Sequence, residues 1–237
     1  MIYVMSDIHG NKEAFQSVLD QISLKNDDTL YILGDIIDRH EHGVEILMQL
    51  MKQDNVKCLL GNHELMCLNA VIPHSMSLPW MRNDPYTDLH LWLRNGGGPT
   101  LRSFQKLQKE QYEETIQYLL KLPAQYEINV NRQKYILVHA SPKELYSLEE
   151  NNGYFDETTF CVWHRISDRS KLPADSRTVF GHTPTSEFQD GRLLRIWHTP
   201  NAIDIDCGSG FDTAGVPLQG RLACLRLDDM NEYYSQI

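Results

Sequence analysis

Five short stretches place metal-binding or proton-transferring residues directly after apolar, strand-like runs. They are SDIHG after Met5, GDIIDRH after Leu33, GNHE after Leu60, VHAS at His139 and FGHTPT at His182. One Asp-x-His is a weak signal, because short motifs arise freely by chance. Five such strand ends, expected to converge on one sheet edge, make a site. Carboxylate oxygens, an amide oxygen and imidazole nitrogens together suit a borderline divalent ion such as manganese, iron or zinc better than calcium. Asp7 and His9 stand two positions apart with Ile8 turned the other way, so both can face one ion. Taken alone, Asp7 reads as the N-cap of a helix beginning near Asn11; the other stretches weigh against that reading.

The elements that must hold these residues follow from periodicity. Residues 2–5 are apolar and β-prone, and after the SDIHGN break Phe15, Val18, Leu19 and Ile22 recur at helical spacing. The pattern returns with Thr29 to Leu33 as strand and Val44, Leu47, Met48 and Met51 as the apolar face of a second helix, then with Val56 to Leu60 before GNHE. Asp7 and Asp35 are 28 positions apart, and Asp35 and Asn62 are 27 apart, which suits successive right-handed βαβ units. Ligands of such sheets bind beyond the carboxyl ends of the strands.

Residues 74–123 read as a mainly helical insertion, with Tyr112, Ile116, Leu119 and Leu120 at roughly helical spacing. Further strands are expected at Lys134 to Val138, Thr178 to Phe180, Ala202 to Ile205 and Leu222 to Leu227, the last two paired with each other in a second sheet. The expectation is one domain over residues 1–237, of class α/β.

The 237 residues carry 22 Lys and Arg against 32 Asp and Glu, a formal charge of -10. This argues against a basic groove for nucleic acid. An anionic substrate needs local help, which bound divalent cations can give by reversing the field in one cleft. Cys58, Cys67, Cys161, Cys207 and Cys224 are scattered without C-x-x-C spacing, so neither a zinc knuckle nor a disulfide framework is expected. The start of the chain has no basic segment before its apolar run, and nowhere do 18 apolar residues follow one another. The expectation is a cytoplasmic enzyme with no membrane partner.

Together DIHG, GDIIDR, GNHE, the strand-end His139 and the Gly181-His182 pair resemble the calcineurin-like metallophosphoesterases. More narrowly they resemble the phosphoprotein phosphatase group, with its bacterial and phage serine/threonine phosphatases and the related diadenosine tetraphosphate hydrolases. The resemblance implies a sandwich of two mixed β-sheets flanked by helices, and two divalent metal ions, with manganese first and iron or zinc as alternatives. It implies that Asp7, His9 and Asp35 hold one ion, and that Asp35, Asn62, His139 and His182 hold the other. His63 is matched to the acid that protonates the leaving oxygen, Asp38 to the carboxylate that orients it, and Arg39 to a phosphate-binding arginine. Within CVWHRISD, Trp163-x-Arg165 resembles the stretch bearing a second such arginine, and Asn62 also borders the substrate. Two ions about 4 Å apart can share a hydroxide, lower its pKa toward neutrality and clamp the phosphoryl oxygens during in-line displacement.

Two departures from the family pattern stand out. His40 occupies the place of the usual glycine after DR, and Ala140-Ser141 follows His139 where many relatives have two glycines, positions where glycine often serves a positive φ. His42, His74, His90 and His198 match no motif and read as surface or satisfied core residues, with His164 slightly raised by its neighbour Arg165. HELMC at 63–67 fails the H-E-x-x-H pattern. NGGGPT reads as a turn within the insertion, and CGSGFDTAG as a loop near the cleft rim. The first functional reading is a metal-dependent phosphomonoesterase, a protein serine/threonine phosphatase with some tyrosine or small-molecule activity, its partner a phosphoprotein or small phosphorylated substrate. A diadenosine tetraphosphate hydrolase comes second and a catalytically silent binding module third. Oligomeric state is not legible.

Overall fold

A computed structural model describes residues 1–72, 85–148, 153–154, 156–190, 193–211 and 220–236. The described residues form two five-stranded mixed sheets and eight α-helices. The first sheet has the order β10-β9-β1-β2-β3, built from β1 (Ile2–Met5), β2 (Thr29–Ile32), β3 (Val56–Cys58), β9 (Ala223–Arg226) and β10 (Asn231–Tyr234). Strands β1, β2 and β3 are parallel, while β9 runs antiparallel to β1. The second sheet has the order β4-β5-β6-β8-β7, from β4 (Gln125–Val130), β5 (Gln133–Val138), β6 (Ser176–Phe180), β7 (Trp197–His198) and β8 (Ala202–Asp204). In it β5, β6 and β8 are parallel.

Side-chain alternation sorts each strand between two cores, as the period of two requires. Val4, Leu33, Leu137, Val179, Ile203 and Leu225 share the layer between the sheets. Tyr3, Met5 and Cys224 turn outward to helices α1 (Lys12–Ile22), α2 (Gly43–Leu50) and α3 (Asn62–Val71). Val138, Phe180 and Ala202 turn the other way, against α7 (Lys143–Tyr146) and α8 (Glu157–Trp163). Helix α1 buries Phe15, Val18 and Ile22, as its spacing predicts, and its N-cap is Asn11, whose side chain accepts the Ala14 N–H. Asp7 is therefore not spent on capping.

Within the predicted insertion, α4 (Pro85–Arg94), α5 (Gly98–Phe104) and α6 (Lys109–Leu119) are helical. Trp92, Phe104, Ile116 and Leu119 join the core on the outer side of the first sheet. Residues 73–84, with His74, lie outside the described residues.

Two expectations are corrected. Ala202–Asp204 and Ala223–Arg226 do not pair with each other: the first lies beside β6 in the second sheet and the second beside β1 in the first. Both are short apolar runs, and a central strand of either sheet accepts that pattern. The five strand ends also do not share one sheet edge. Three belong to the first sheet and two to the second, and the packing of sheet on sheet brings their carboxyl ends together.

Candidate metal centre and active site

Asp35, buried in the β2–α2 loop, faces ligand-type atoms on both sides. Its Oδ2 lies 3.5 Å from His9 Nε2 and 3.8 Å from His63 Nε2. Its Oδ1 lies 3.4 Å from His139 Nε2 and accepts the His63 N–H at 3.0 Å. Asp7 Oδ1 is 3.9 Å from His9 Nε2, and its Oδ2 accepts the His182 N–H at 3.1 Å. Asn62 Oδ1 stands 2.9 Å from both His139 Nε2 and His182 Nδ1. All six residues expected as metal ligands thus meet in one place. Ligand atoms of Asp7, Asp35 and His139 lie within 4.8 Å of one another, as do those of His9, Asp35 and His63.

Hydrogen bonds on the far side of each imidazole decide which nitrogen points inward. His9 Nδ1 donates to the Ile37 carbonyl at 3.2 Å and His139 Nδ1 to the Leu33 carbonyl at 2.8 Å, so both turn Nε2 to the site. His182 is reversed: Nε2 donates to the Trp163 carbonyl at 3.1 Å, which leaves Nδ1 inward. Such carbonyl partners fix tautomer and ring orientation in metal sites. The consequence is a test of fit. With these tautomers, lone pairs of His139 and His182 converge on the lone pairs of Asn62 Oδ1, an arrangement that a cation relieves.

Charge balance points the same way. Burial, with His63 beside His9 and His139 beside His182 acting in the same direction, lowers both imidazoles well below the ordinary histidine range, which favours the neutral form a metal requires. Burial pushes Asp7 up, and the Asp35 charge adds to that; burial also works against Asp35, but His139, His63 and His9 together hold it low.

Backbone conformation marks the same residues. Asp7, His9, Asp35, Asp38, Arg39 and His182 have φ of 57°, 50°, 53°, 72°, 66° and 64°. Left-handed conformations cost a non-glycine residue about 1–3 kcal/mol and persist where surrounding structure over-determines them. The loops are tied to one another to that end: the His9 N–H donates to the Asp35 carbonyl and the Gly181 N–H to the His139 carbonyl, both at 2.8 Å. His40 joins this network, with its N–H at 3.1 Å and its ring Nδ1 at 2.9 Å from the His9 carbonyl. Its φ is not positive, so no glycine is required there. The same holds for Ala140 and Ser141, whose N–H groups both donate to the Cys161 carbonyl.

His63 and Asp38 form a buried pair, Nδ1 to Oδ2 2.7 Å. Burial alone lowers the imidazole pKa, yet Asp35 and Asp38 outweigh it and hold His63 above the ordinary value. Arg39 is exposed, with Nη2 3.3 Å from His63 Nε2. Arg165 is exposed too, and its charge reaches His182. Of the bland histidines, His42 pairs with Glu45 and His198 with Glu232, away from the cluster, while His164 stacks on Phe160.

Sequence reading gave Glu64 no separate role. Its Oε1 accepts the N–H groups of Ile36 and Ile37, and its Oε2 those of Asp35 and Gly61, at 2.8–3.2 Å. One carboxylate thereby clamps the loop bearing Asp35 to the start of α3. All four partners are donors, so Glu64→Gln, though isosteric, turns an NH2 toward two N–H groups. We expect unfolding free energy to fall by about 2–5 kcal/mol, from two buried donors losing their acceptor; a loss under about 1 kcal/mol in urea unfolding would remove the clamp.

Also missed were Asp204 and Asp206, at the end of β8 beside β6. Both are buried, and burial pushes both well above the carboxylate range, with the Asp7 charge contributing to each. The turn that follows lies closer than a rim. A side chain at Gly210 would come within 2.3 Å of the His9 ring and 2.7 Å of Arg39 Nη1, so only glycine fits there. The signal was available: IDID ends an apolar run, as the other site stretches do.

Known proteins resemble the chain in sequence and in fold. The chain is similar to serine/threonine-protein phosphatase 2 of Escherichia coli, at 34% identity over 59% of this chain and 57% of that protein. It is similar also to the symmetrical bis(5'-nucleosyl)-tetraphosphatase of Acidovorax ebreus, at 27% identity over 82% of this chain and 62% of that one. The chain thus spans less than two thirds of either relative. Its fold matches the crystal structure of a candidate diadenosine tetraphosphatase with a TM-score of 0.60, at 16% identity over 98% of this chain and 91% of the other. A family model for calcineurin-like phosphoesterases matches residues 1–208. The chain belongs to the calcineurin-like phosphoesterase family, and carries a buried His/Asp cluster that could hold metal ions.

Proposed function

We propose that this chain is a dinuclear metal-dependent phosphomonoesterase acting on phosphoserine and phosphothreonine in proteins. The observation that carries the reading is the placement of the His63–Asp38 pair and the exposed Arg39 against the carboxylate and imidazole cluster around Asp35. Asp7, His9 and Asp35 would hold one divalent ion and Asp35, Asn62, His139 and His182 the other. Manganese is the first choice for this mixed oxygen and nitrogen donor set, with iron or zinc as alternatives. Ions held there supply a nucleophile at neutral pH and neutralise phosphoryl charge.

The chain's own residues do the rest. Arg39 offers a planar fork of donors to phosphate oxygens, and the same task is assigned to Arg165, two residues past the end of α8. A phosphate dianion taking the Arg39 fork also removes that cation's pressure on His63, which is otherwise 3.3 Å away. His63, held above the ordinary histidine range, keeps its proton for the leaving oxygen while Asp38 holds Nδ1. The 34% identity to a protein named as a serine/threonine-protein phosphatase supports the phosphoprotein substrate.

Dinucleotide hydrolysis is the second reading, favoured by the longer alignment with a tetraphosphatase, over 82% of this chain. Both would use the same site. The deciding measurement is kcat/KM for a phosphothreonine peptide against diadenosine tetraphosphate, in manganese. We expect the peptide to be preferred at least about tenfold, a difference of 1.4 kcal/mol in transition-state binding; a comparable preference for the dinucleotide overturns the choice. Absence of turnover with every divalent ion, p-nitrophenyl phosphate included, would leave a silent binding module.

A further inference from the structure

The carboxylate of Asp38 serves more than His63. Trp92 Nε1 donates to the same Oδ2 at 2.8 Å, and the Thr100 hydroxyl donates to Oδ1 at 2.6 Å. Both donors come from the helical insertion, Trp92 on α4 and Thr100 on α5, 54 and 62 positions from Asp38. Asp38 and Trp92 are wholly buried, and Thr100 nearly so. Thr100 is used twice, since its Oγ1 also accepts the Asp38 backbone N–H at 3.0 Å.

The turn between the two donors takes part. The Gly96 carbonyl accepts the Arg39 N–H at 2.9 Å. A Cβ at Gly97 would lie 2.5 Å from Trp92 Nε1, so the indole can aim at Asp38 only because the turn passes over it without a side chain. Asp38 and Arg39 are consecutive left-handed residues, a conformation that needs outside support. Segment 92–100 supplies it to the backbone of both and to the carboxylate of one.

We propose that Trp92 and Thr100, with the Gly96–Gly97 turn between them, are positioning residues for the leaving-group acid: they lock Asp38 so that His63 presents Nε2 to the leaving oxygen. This rests on the reading of His63 as proton donor. A carboxylate held on both oxygens cannot rotate about its Cβ–Cγ bond, and these donors face an anion, where hydrogen bonds are strongest. Without the indole N–H, Oδ2 has His63 as its sole side-chain partner among the described residues, and the ring follows the carboxylate instead of the substrate. A second function for the insertion follows. It buttresses the acid, whatever it also does for substrate choice.

The test uses the metal-loaded full chain with two substrates, p-nitrophenyl phosphate and an alkyl ester, phosphothreonine in a peptide. Trp92→Phe keeps the ring and removes the N–H. It is expected to lower kcat about tenfold on the alkyl ester and no more than about threefold on the nitrophenyl ester with KM unchanged, a part of the 10²–10⁴ a positioned acid supplies. Thr100→Val should show the same split, and Thr100→Ser, which restores the hydroxyl, should recover it. In a His63→Asn background Trp92→Phe should cost nothing more on the alkyl ester. Equal losses on both substrates, or full additivity with His63→Asn, overturn the positioning role and leave the acid assignment standing. No split in His63→Asn itself overturns the acid assignment and the proposal with it. Should Trp92→Phe fail to fold, the Thr100→Val and Thr100→Ser pair decides alone.

Discussion

Asp35→Asn should abolish turnover while leaving the fold intact. The amide keeps an oxygen for the His63 N–H, now bound at 3.0 Å, so the start of α3 stays anchored. It removes the negative charge shared by the His9 side and the His139 side of the cluster. Both ions should be weakened together, because this residue belongs to both proposed ligand sets. Turnover of p-nitrophenyl phosphate should drop at least about 10³-fold, the roughly 4 kcal/mol that clamped ions supply to the transition state. Metal content by elemental analysis should fall below one ion per chain. The metal-free protein should melt modestly lower than the parent at neutral pH, since the carboxylate that the surrounding imidazoles hold low contributes stability there, and the gain in Tm on adding manganese should vanish. Two ions per chain with parental turnover would end the assignment of Asp35 as the shared ligand.

His63→Asn should divide substrates by their leaving groups. Nitrophenolate departs without help, whereas a threonine alkoxide needs a proton. We expect kcat to fall about 10²–10³-fold on a phosphothreonine peptide and less than about tenfold on p-nitrophenyl phosphate. The Asp35 contact through the residue 63 backbone is retained, so metal content should stay near parental. Equal losses on the two esters would take His63 out of the acid's role and leave it as one more imidazole beside His9 and Asp35.

The parts of this molecule legible in its sequence are those where local chemistry and local structure coincide. A strand that runs apolar and then ends in Asp, His or Asn declares both itself and its purpose, as Met5-to-His9 and Leu60-to-His63 do. The 28- and 27-residue spacings then placed three loops side by side. Strands β4 and β10 escaped notice because QYEINV and NEYY are half-exposed edge strands without clean alternation. Trp92 and Thr100 escaped because a buried tryptophan in a helix reads as core, and nothing local announces a hydrogen bond 54 residues away. His40 was noticed for the wrong reason. It replaces a glycine in the pattern, but the positive φ falls on the two residues just before it, Asp38 and Arg39, and His40 serves as a tie to the His9 carbonyl.

The pairing of β9 with β1 has a bearing on how the protein comes to be made. Tyr3 lies opposite Arg226 and Met5 opposite Cys224, so the strand that leads into Asp7 and His9 completes its hydrogen bonding with residues synthesised more than two hundred positions later. Until they emerge, β1 has β2 on one side and an open edge on the other, an apolar IYVM segment available to any passing strand. Contacts of such long sequence separation also form slowly. During synthesis, then, the strand that leads into the first loop of the cluster is completed on its second edge only at the end, and the nascent chain is open to mispairing there.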